Sequence, residues 1–381
     1  MGPFSTHRLL ARTALAAAHV FAWLFVFQYF YIFSDSHLNA LVATALSYAL
    51  SHTVSVLATP FAARRLRHGI RGMLVNALLA LSTAFAVLAY AFSGDLGSIP
   101  LGIALFAVCM GIYRSLYWIP YELASKKYSS ARAIDIFLAL VPAIAGYAIS
   151  LSASAPLLVL AAASFLSLLA IIPVYAFKNT HEGFSWSYRE TFRHLFTATH
   201  RRPLAQAICN GFEGAALLLL WPIAIFVLLN WSYFALGLVL SATYMCTIVA
   251  RMFIKPVHEH LQSPMMLSIL TVSGWVLRGT VAAPISIVLV DTYYQSGSGV
   301  SQRGVDVLTS EQSADSNSYI DEFTALKDMG QGIGRILFCL VLYVLASFFT
   351  FAMLALVLFG IAATFAVLSI TISRTITRHA Y

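Results

Sequence analysis

Three ionisable side chains stand inside otherwise apolar stretches of this 381-residue sequence: Arg114 within 101–121, Glu213 within 204–229 and Asp291 within 282–296. A charge at bilayer depth costs about 2.5–3.5 kcal/mol on insertion scales, so such groups are functional candidates. A buried carboxyl facing an arginine can be protonated in one state and ion-paired in another, and coupling to a proton gradient requires that exchange. Glu213 reads as the proton-responsive group and Arg114 as its counter-charge or a substrate anchor; the bland alternative is a fixed pair holding helices together. Asn210 lies one turn before Glu213. Tyr113, Tyr117 and Tyr121, at i, i+4 and i+8, form one stripe beside Arg114 and Trp118, either as packing or as a binding wall. Trp23, Gln28 and Tyr29 add polar and aromatic groups near the first run, while His19 and His52 read as hydrogen-bonded packing groups.

The elements that must position these groups follow from composition. The chain is 60% apolar and 10% charged, with mean hydropathy +0.82. Soluble domains are about 45–50% apolar and about 25% charged, so a soluble or disordered chain is excluded. Apolar runs at 13–33, 38–59, 73–92, 101–121, 133–152 and 156–177 precede a polar stretch at 178–202. Six more follow at 204–229, 232–254, 265–281, 282–296, 335–352 and 354–373. At about 20 residues per span these predict an all-α membrane protein of twelve transmembrane helices. Glu213 and Asp291 each lie about nine residues into their spans, roughly 14 Å deep at 1.5 Å per residue.

Charge placement supports the count. Of the 23 Lys and Arg, all except Arg114 and Arg278 fall in segments that share one side if the N-terminus is inside, while the outer loops around Asp35 and Asp95 carry none. That split predicts cytoplasmic termini and a multi-pass protein of the cytoplasmic membrane. Because the net charge of +8 flanks apolar runs, it speaks for topology and against nucleic acid. Cys109, Cys209, Cys246 and Cys339 lie in apolar runs without ligand spacing, which argues against disulfides and a metal site. The segment 296–334 reads as a long inner loop with a Ser/Gly/Asp-rich first half and an amphipathic helix at 319–327 entering the eleventh span.

Several short stretches have a recognisable form. Between the second and third runs stands Ala62-Ala63-Arg64-Arg65-Leu66-Arg67-His68-Gly69-Ile70-Arg71, and in the fifth run Val141-Pro142-Ala143-Ile144-Ala145-Gly146. Trp221-Pro222 lies in the seventh, and Glu322, Lys327-Asp328 and Gly334-Arg335 lead into the eleventh. With six spans, a connector and six more, the chain resembles the major facilitator superfamily. Arg67, Gly69 and Arg71 match the basic turn of that family's Gly-x-x-x-Asp-Arg-x-Gly-Arg-Arg signature, with Leu66 where the family has its acid. Pro142 and Gly146 match parts of its Gly-Pro-x-x-Gly-Gly kink. The resemblance implies two pseudo-symmetric six-helix halves, 1–177 and 204–374, joined by a connector at 178–203 and followed by a tail at 375–381. It further implies that spans one, four, seven and ten line a midplane site, and that the halves rock about it.

No HExxH, GxSxG, paired-aspartate or Walker pattern is present, so the expectation is a carrier and not an enzyme or an ATP-driven pump, with no cofactor. Gly330-Gln331-Gly332-Ile333-Gly334 reads as a close-packing stripe. The sequence therefore predicts a monomeric secondary active transporter of a small or amphiphilic solute, coupled to protons and surrounded by lipid. A lipid or glycolipid flippase of the same fold, and a transport-dead relative acting as receptor or scaffold, remain the alternatives.

Overall fold

Where solvent cannot satisfy backbone polar groups a chain must satisfy its own, and helices do so within each segment. The computed structural model describes residues 2–94, 98–125, 132–181, 184–197, 200–258, 264–296 and 320–378, and none of these is in a strand. The expected loops around Asp95, Lys126 and Lys127, and most of the loop at 296–334, lie outside the described residues.

The first helices are α1 (Pro3–Ser34), α2 (His37–Arg65), α3 (Ile70–Phe92), α4 (Ile99–Ser125), α5 (Arg132–Ser150) and α6 (Ala155–Leu169). Pro3 occupies the first turn of α1, where its missing N–H costs nothing, and Asp35 closes that helix in the left-handed region. The Ser36 hydroxyl accepts from the Asn39 N–H and starts α2. A short α7 (Tyr188–Leu195) lies in the connector, fixed by a capping box between Ser187 and Glu190 that the sequence reading did not single out.

The later helices are α8 (Arg201–Ala215), α9 (Trp221–Leu228), α10 (Tyr233–His258), α11 (Pro264–Arg278), α12 (284–296), α13 (Ile320–Leu345) and α14 (Phe351–Arg378). A π-helical turn, Ala216–Leu220, joins α8 to α9 directly before Trp221-Pro222. Proline cannot donate to the carbonyl four residues back, and the wider turn absorbs that mismatch. Among the described residues nine helical stretches, Arg201–Leu228 included, are long and apolar enough to cross a membrane, and Ile134–Ser150 and Met265–Arg278 are shorter apolar helices. The chain is a multi-pass integral membrane protein.

Two expectations gain detail. The first apolar run begins at Thr13, yet α1 begins ten residues earlier, because Arg8 and Arg12 are held on the helix: Arg8 pairs with Asp135 at 2.6 Å and Arg12 lies over Trp118 and Tyr121. The helical stretch expected to enter the eleventh span does so without a break, since α13 runs from Ile320 through three glycines. Gly330 and Gly334 meet Leu204, Ala207 and Ile208 of α8, and Gly332 meets Val56 of α2. Packing on both sides keeps this stretch helical where glycine alone would weaken it.

The first six helices meet the later ones along α2–α13 and α5–α10. On α5, Gly146 lies against the Tyr233 carbonyl and Gly237 of α10, while the Pro142 carbonyl faces Gly237. The expected Pro142/Gly146 packing element is therefore a backbone-level crossing, and the Ala143 N–H donates across it to Ser241 Oγ at 2.8 Å. At one end of the bundle an aromatic cluster joins α1, α2, α9, α10 and α14. Phe27 stacks on Trp231 at 5.6 Å, Tyr31 lies 4.5 Å from Trp231, and His37 lies 5.6 Å from Phe351. The opposite end carries the basic turn after α2. Gly69 has φ +99°, and a Cβ there would collide with Asn179. Ile70 N–H donates to the Thr180 carbonyl, Arg71 Nε to the Phe177 carbonyl, and His181 Nδ1 to the Arg67 carbonyl.

Candidate functional site

Two buried polar clusters occupy the interior. The first is built on α1, α2 and α4 around Arg114, which is 8% exposed. Its Nη1 donates to His52 Nε2 at 2.7 Å and to Ser51 Oγ at 3.2 Å, and its Nη2 donates to His19 Nε2 at 3.3 Å. Guanidinium nitrogens only donate, so both imidazoles accept through Nε2 and carry their proton on Nδ1. The guanidinium lies 5.4 Å from the Tyr48 ring, and Tyr48 meets His52 at 4.5 Å and Trp23 at 5.1 Å. Among the described residues Arg114 is in no ion pair with a carboxylate. The two histidines read from sequence as packing groups are its direct partners.

The second cluster is built on α8, α9, α11 and α12. Glu213 is 5% exposed, and its Oε1 accepts from the Tyr294 hydroxyl and from Trp275 Nε1, the latter at 3.2 Å. Among the described residues no cation stands within ion-pair distance of it. Beside it, Arg278 grips Asp291: Nη2 and Nε reach Oδ1 at 2.8 and 3.2 Å, with both side chains buried. Trp221 Nε1 donates to both Asp291 oxygens, at 3.0 and 2.8 Å. The guanidinium is enclosed by rings, 4.1 Å from Tyr294, 4.5 Å from Trp275 and 5.4 Å from Trp221. Arginine over aromatic faces is held by quadrupole attraction as well as by its carboxylate.

Glu213 and Arg114 therefore do not meet; each has its own set of partners. Asn210, expected beside Glu213, accepts from Ser369 Oγ of α14 at 2.5 Å and joins α8 to α14. Tyr117 donates to Nε2 of neutral His7, whose Nδ1 donates to the Ala170 carbonyl at 3.0 Å, so this tyrosine packs α4 on α1 and α6. Gln28 accepts from the Tyr233 hydroxyl and ties α1 to α10 near the aromatic cluster. Trp23 is buried between Tyr48 and Phe106, on the edge of the Arg114 cluster. Asp291 is buried as expected, and its partner Arg278 was missed. In sequence Arg278 reads as a break between two spans, but it and Asp291 are the charges of the hairpin 265–296, and that pairing was the available signal.

Arg335 of α13 faces the Arg114 cluster from the later helices. A Cβ on Gly332, three residues earlier, would meet Val56 and lie 3.8 Å from the His52 carbonyl, and positions three apart share a helix face. Glu322, earlier on α13, accepts from the Ser185 N–H at 3.2 Å and from the Ser185 hydroxyl, tying the connector to α13.

No protein-family model and no curated protein sequence matches the chain. Solved structures do match over nearly its full length. A D-xylose–proton symporter aligns with TM-score 0.59 and 13% identity, over 96% of this chain and 95% of that one. The E. coli xylose transporter XylE, in a partially occluded inward-open conformation, gives 0.63 and 13%, over 96% and 94%. A bacterial homologue of the iron transporter ferroportin, in an inward-facing state, gives 0.60 and 16%, over 97% and 98%. With these neighbours and the helix arrangement above, the chain shares the fold of these solved transporter structures.

Proposed function

We propose that the chain is a secondary active transporter of the cytoplasmic membrane that moves a small or amphiphilic solute by alternating access, driven by protons. In this reading twelve spans form two halves, 1–177 and 204–374, linked by 178–203, with both termini cytoplasmic. The crossings α2–α13 and α5–α10 are the surfaces on which the halves rock. The aromatic cluster with the Tyr233–Gln28 bond closes one end, and the clasp of the basic turn (Arg67, Gly69, Arg71) on residues 177–181 steadies the other.

The observation that carries the proton coupling is the surroundings of Glu213. It is a buried carboxyl one π-turn from a proline, supported by a phenol and an indole, next to an arginine already engaged by Asp291. A carboxyl so placed is neutral when Arg278 serves Asp291 alone, and ionises when a helix shift brings it a share of that cation. One proton bound and released per cycle then tracks which state the bundle is in. This account moves the partner of Glu213 from Arg114 to Arg278. Arg114, in the other half, is left for the solute.

The test is accumulation in proteoliposomes under an imposed pH gradient. Solute uptake driven by the gradient and abolished by a protonophore supports the reading; uptake indifferent to both overturns the coupling.

A further inference from the structure

We infer that the transported solute is an oxyanion, a carboxylate or a phosphate, bound between Arg114 of α4 and Arg335 of α13. The inference rests on the carrier reading above and names its substrate class.

Arg114 stands on one side of the α2–α13 crossing and Arg335 on the other, and among the described residues Arg114 is in no ion pair. Among the described residues Arg114 is engaged by neutral acceptors, the two imidazoles and Ser51. Glu213 lies beside Gly214, over which the Arg335 guanidinium passes, but its carboxylate is turned to Tyr294 and Trp275. A buried cation without a counter-ion is unfavourable unless another negative group supplies one.

The neighbouring polar atoms give an independent indication. Trp23 Nε1, the Tyr48 hydroxyl and Arg335 Nε are buried and have no hydrogen-bond partner among the described residues. All three can donate, and two of them can do nothing else. Tyr48 lies against Arg114, His52 and Trp23. A site for a neutral polyol would need acceptors as well as donors. A site rich in donors and short of carboxylates matches a ligand that only accepts, and planar guanidinium groups suit carboxylate and phosphate oxygens. Because the two arginines come from the two sides of the α2–α13 crossing, an anion between them also relieves their mutual repulsion as the site closes.

Binding of benzoate, L-lactate and glycerol 3-phosphate to the full chain in nanodiscs, read by tryptophan fluorescence with xylose and glycerol as neutral probes, tests this. At least one anion is expected to bind, at least tenfold more weakly in Arg335→Gln, with Tyr48→Phe as the milder variant should Arg114→Gln fail to fold. Lactate against glycerol 3-phosphate separates carboxylate from phosphate. Nanodiscs of phosphatidylcholine alone, compared with ones containing phosphatidylglycerol, separate a free anion from a lipid headgroup. Proton-driven uptake of neutral solutes only would overturn the oxyanion and leave the carrier reading standing. Anion binding that needs Arg335, without transport of any probe, would retain the site and overturn the carrier reading.

Discussion

Gly146 of α5 and Gly237 of α10 touch backbone to backbone: a Cβ on either would lie 3.1 Å from the other's Cα and closer still to a carbonyl oxygen, 2.4 Å from Tyr233 and 2.3 Å from Pro142. Neither oxygen belongs to a side chain that could swing away, so the helices themselves would have to part. Overpacking of a fitted interface costs about 1–3 kcal/mol. Gly237→Val is therefore expected to lower the thermal midpoint of the purified protein, whereas Gly360→Ala, inside α14 where a Cβ meets nothing within 4 Å, does not lower it. Equal midpoints for the two variants in detergent melts would show that the crossing is not tight.

Arg278 and Asp291 form an ion pair with both side chains buried. Removing one partner of such a pair strands the other, a loss of about 3–5 kcal/mol, while removing both is far milder. Arg278→Gln should thus express poorly or melt early, and Arg278→Gln with Asp291→Asn should recover much of the loss. A double variant as damaged as the single one in size-exclusion and thermal assays would mean that the pair is not the stabilising unit.

The Tyr233–Gln28 hydrogen bond joins α10 to α1 beside the aromatic cluster. A net hydrogen bond is worth about 0.5–1.5 kcal/mol, enough to shift a two-state population roughly two- to tenfold. Tyr233→Phe is expected to increase opening at that end, seen as broader or longer spin-label distances between α1 and α10. Unchanged distance distributions would remove this bond from the closure.

In the connector, the backbone N–H and the hydroxyl of Ser187 hold the Glu190 carboxyl below its ordinary range. A carboxyl depressed on folding contributes above its unfolded range and loses that contribution as pH falls through its folded value. Hydrogen-exchange protection of α7 should therefore persist into mildly acidic buffer and disappear below the usual range of a glutamate. Ser187→Ala should weaken it at every pH, because an N-cap hydroxyl is worth about 1 kcal/mol. Protection independent of pH and of Ser187 would count against the cap.

Much of this arrangement was legible in the sequence because lone charges in apolar runs are conspicuous. Arg114, Glu213 and Asp291 are all buried. What spacing along one helix cannot give is which helix stands opposite. Arg114 finds its partners on α1 and α2, through His19 and His52, and neither histidine differs in sequence from a packing residue. Arg278 lies at the end of α11, where its charge reads as a boundary, and meets Asp291 only after the hairpin folds back. The Pro142/Gly146 pattern announced close packing, but its partner Gly237 carried no motif. Asn210 shares a helix with Glu213 yet turns to α14, since one turn of separation fixes height and not the neighbour across the gap.

The most direct measurement of the central claim is proton movement through reconstituted protein with a single oxygen-to-nitrogen change at the carboxyl. In liposomes holding a pH-sensitive dye, addition of solute to the wild-type chain is expected to produce a proton flux that Glu213→Gln abolishes, while solute exchange at equilibrium continues in that variant. Solute-driven proton flux undiminished in Glu213→Gln would contradict the account.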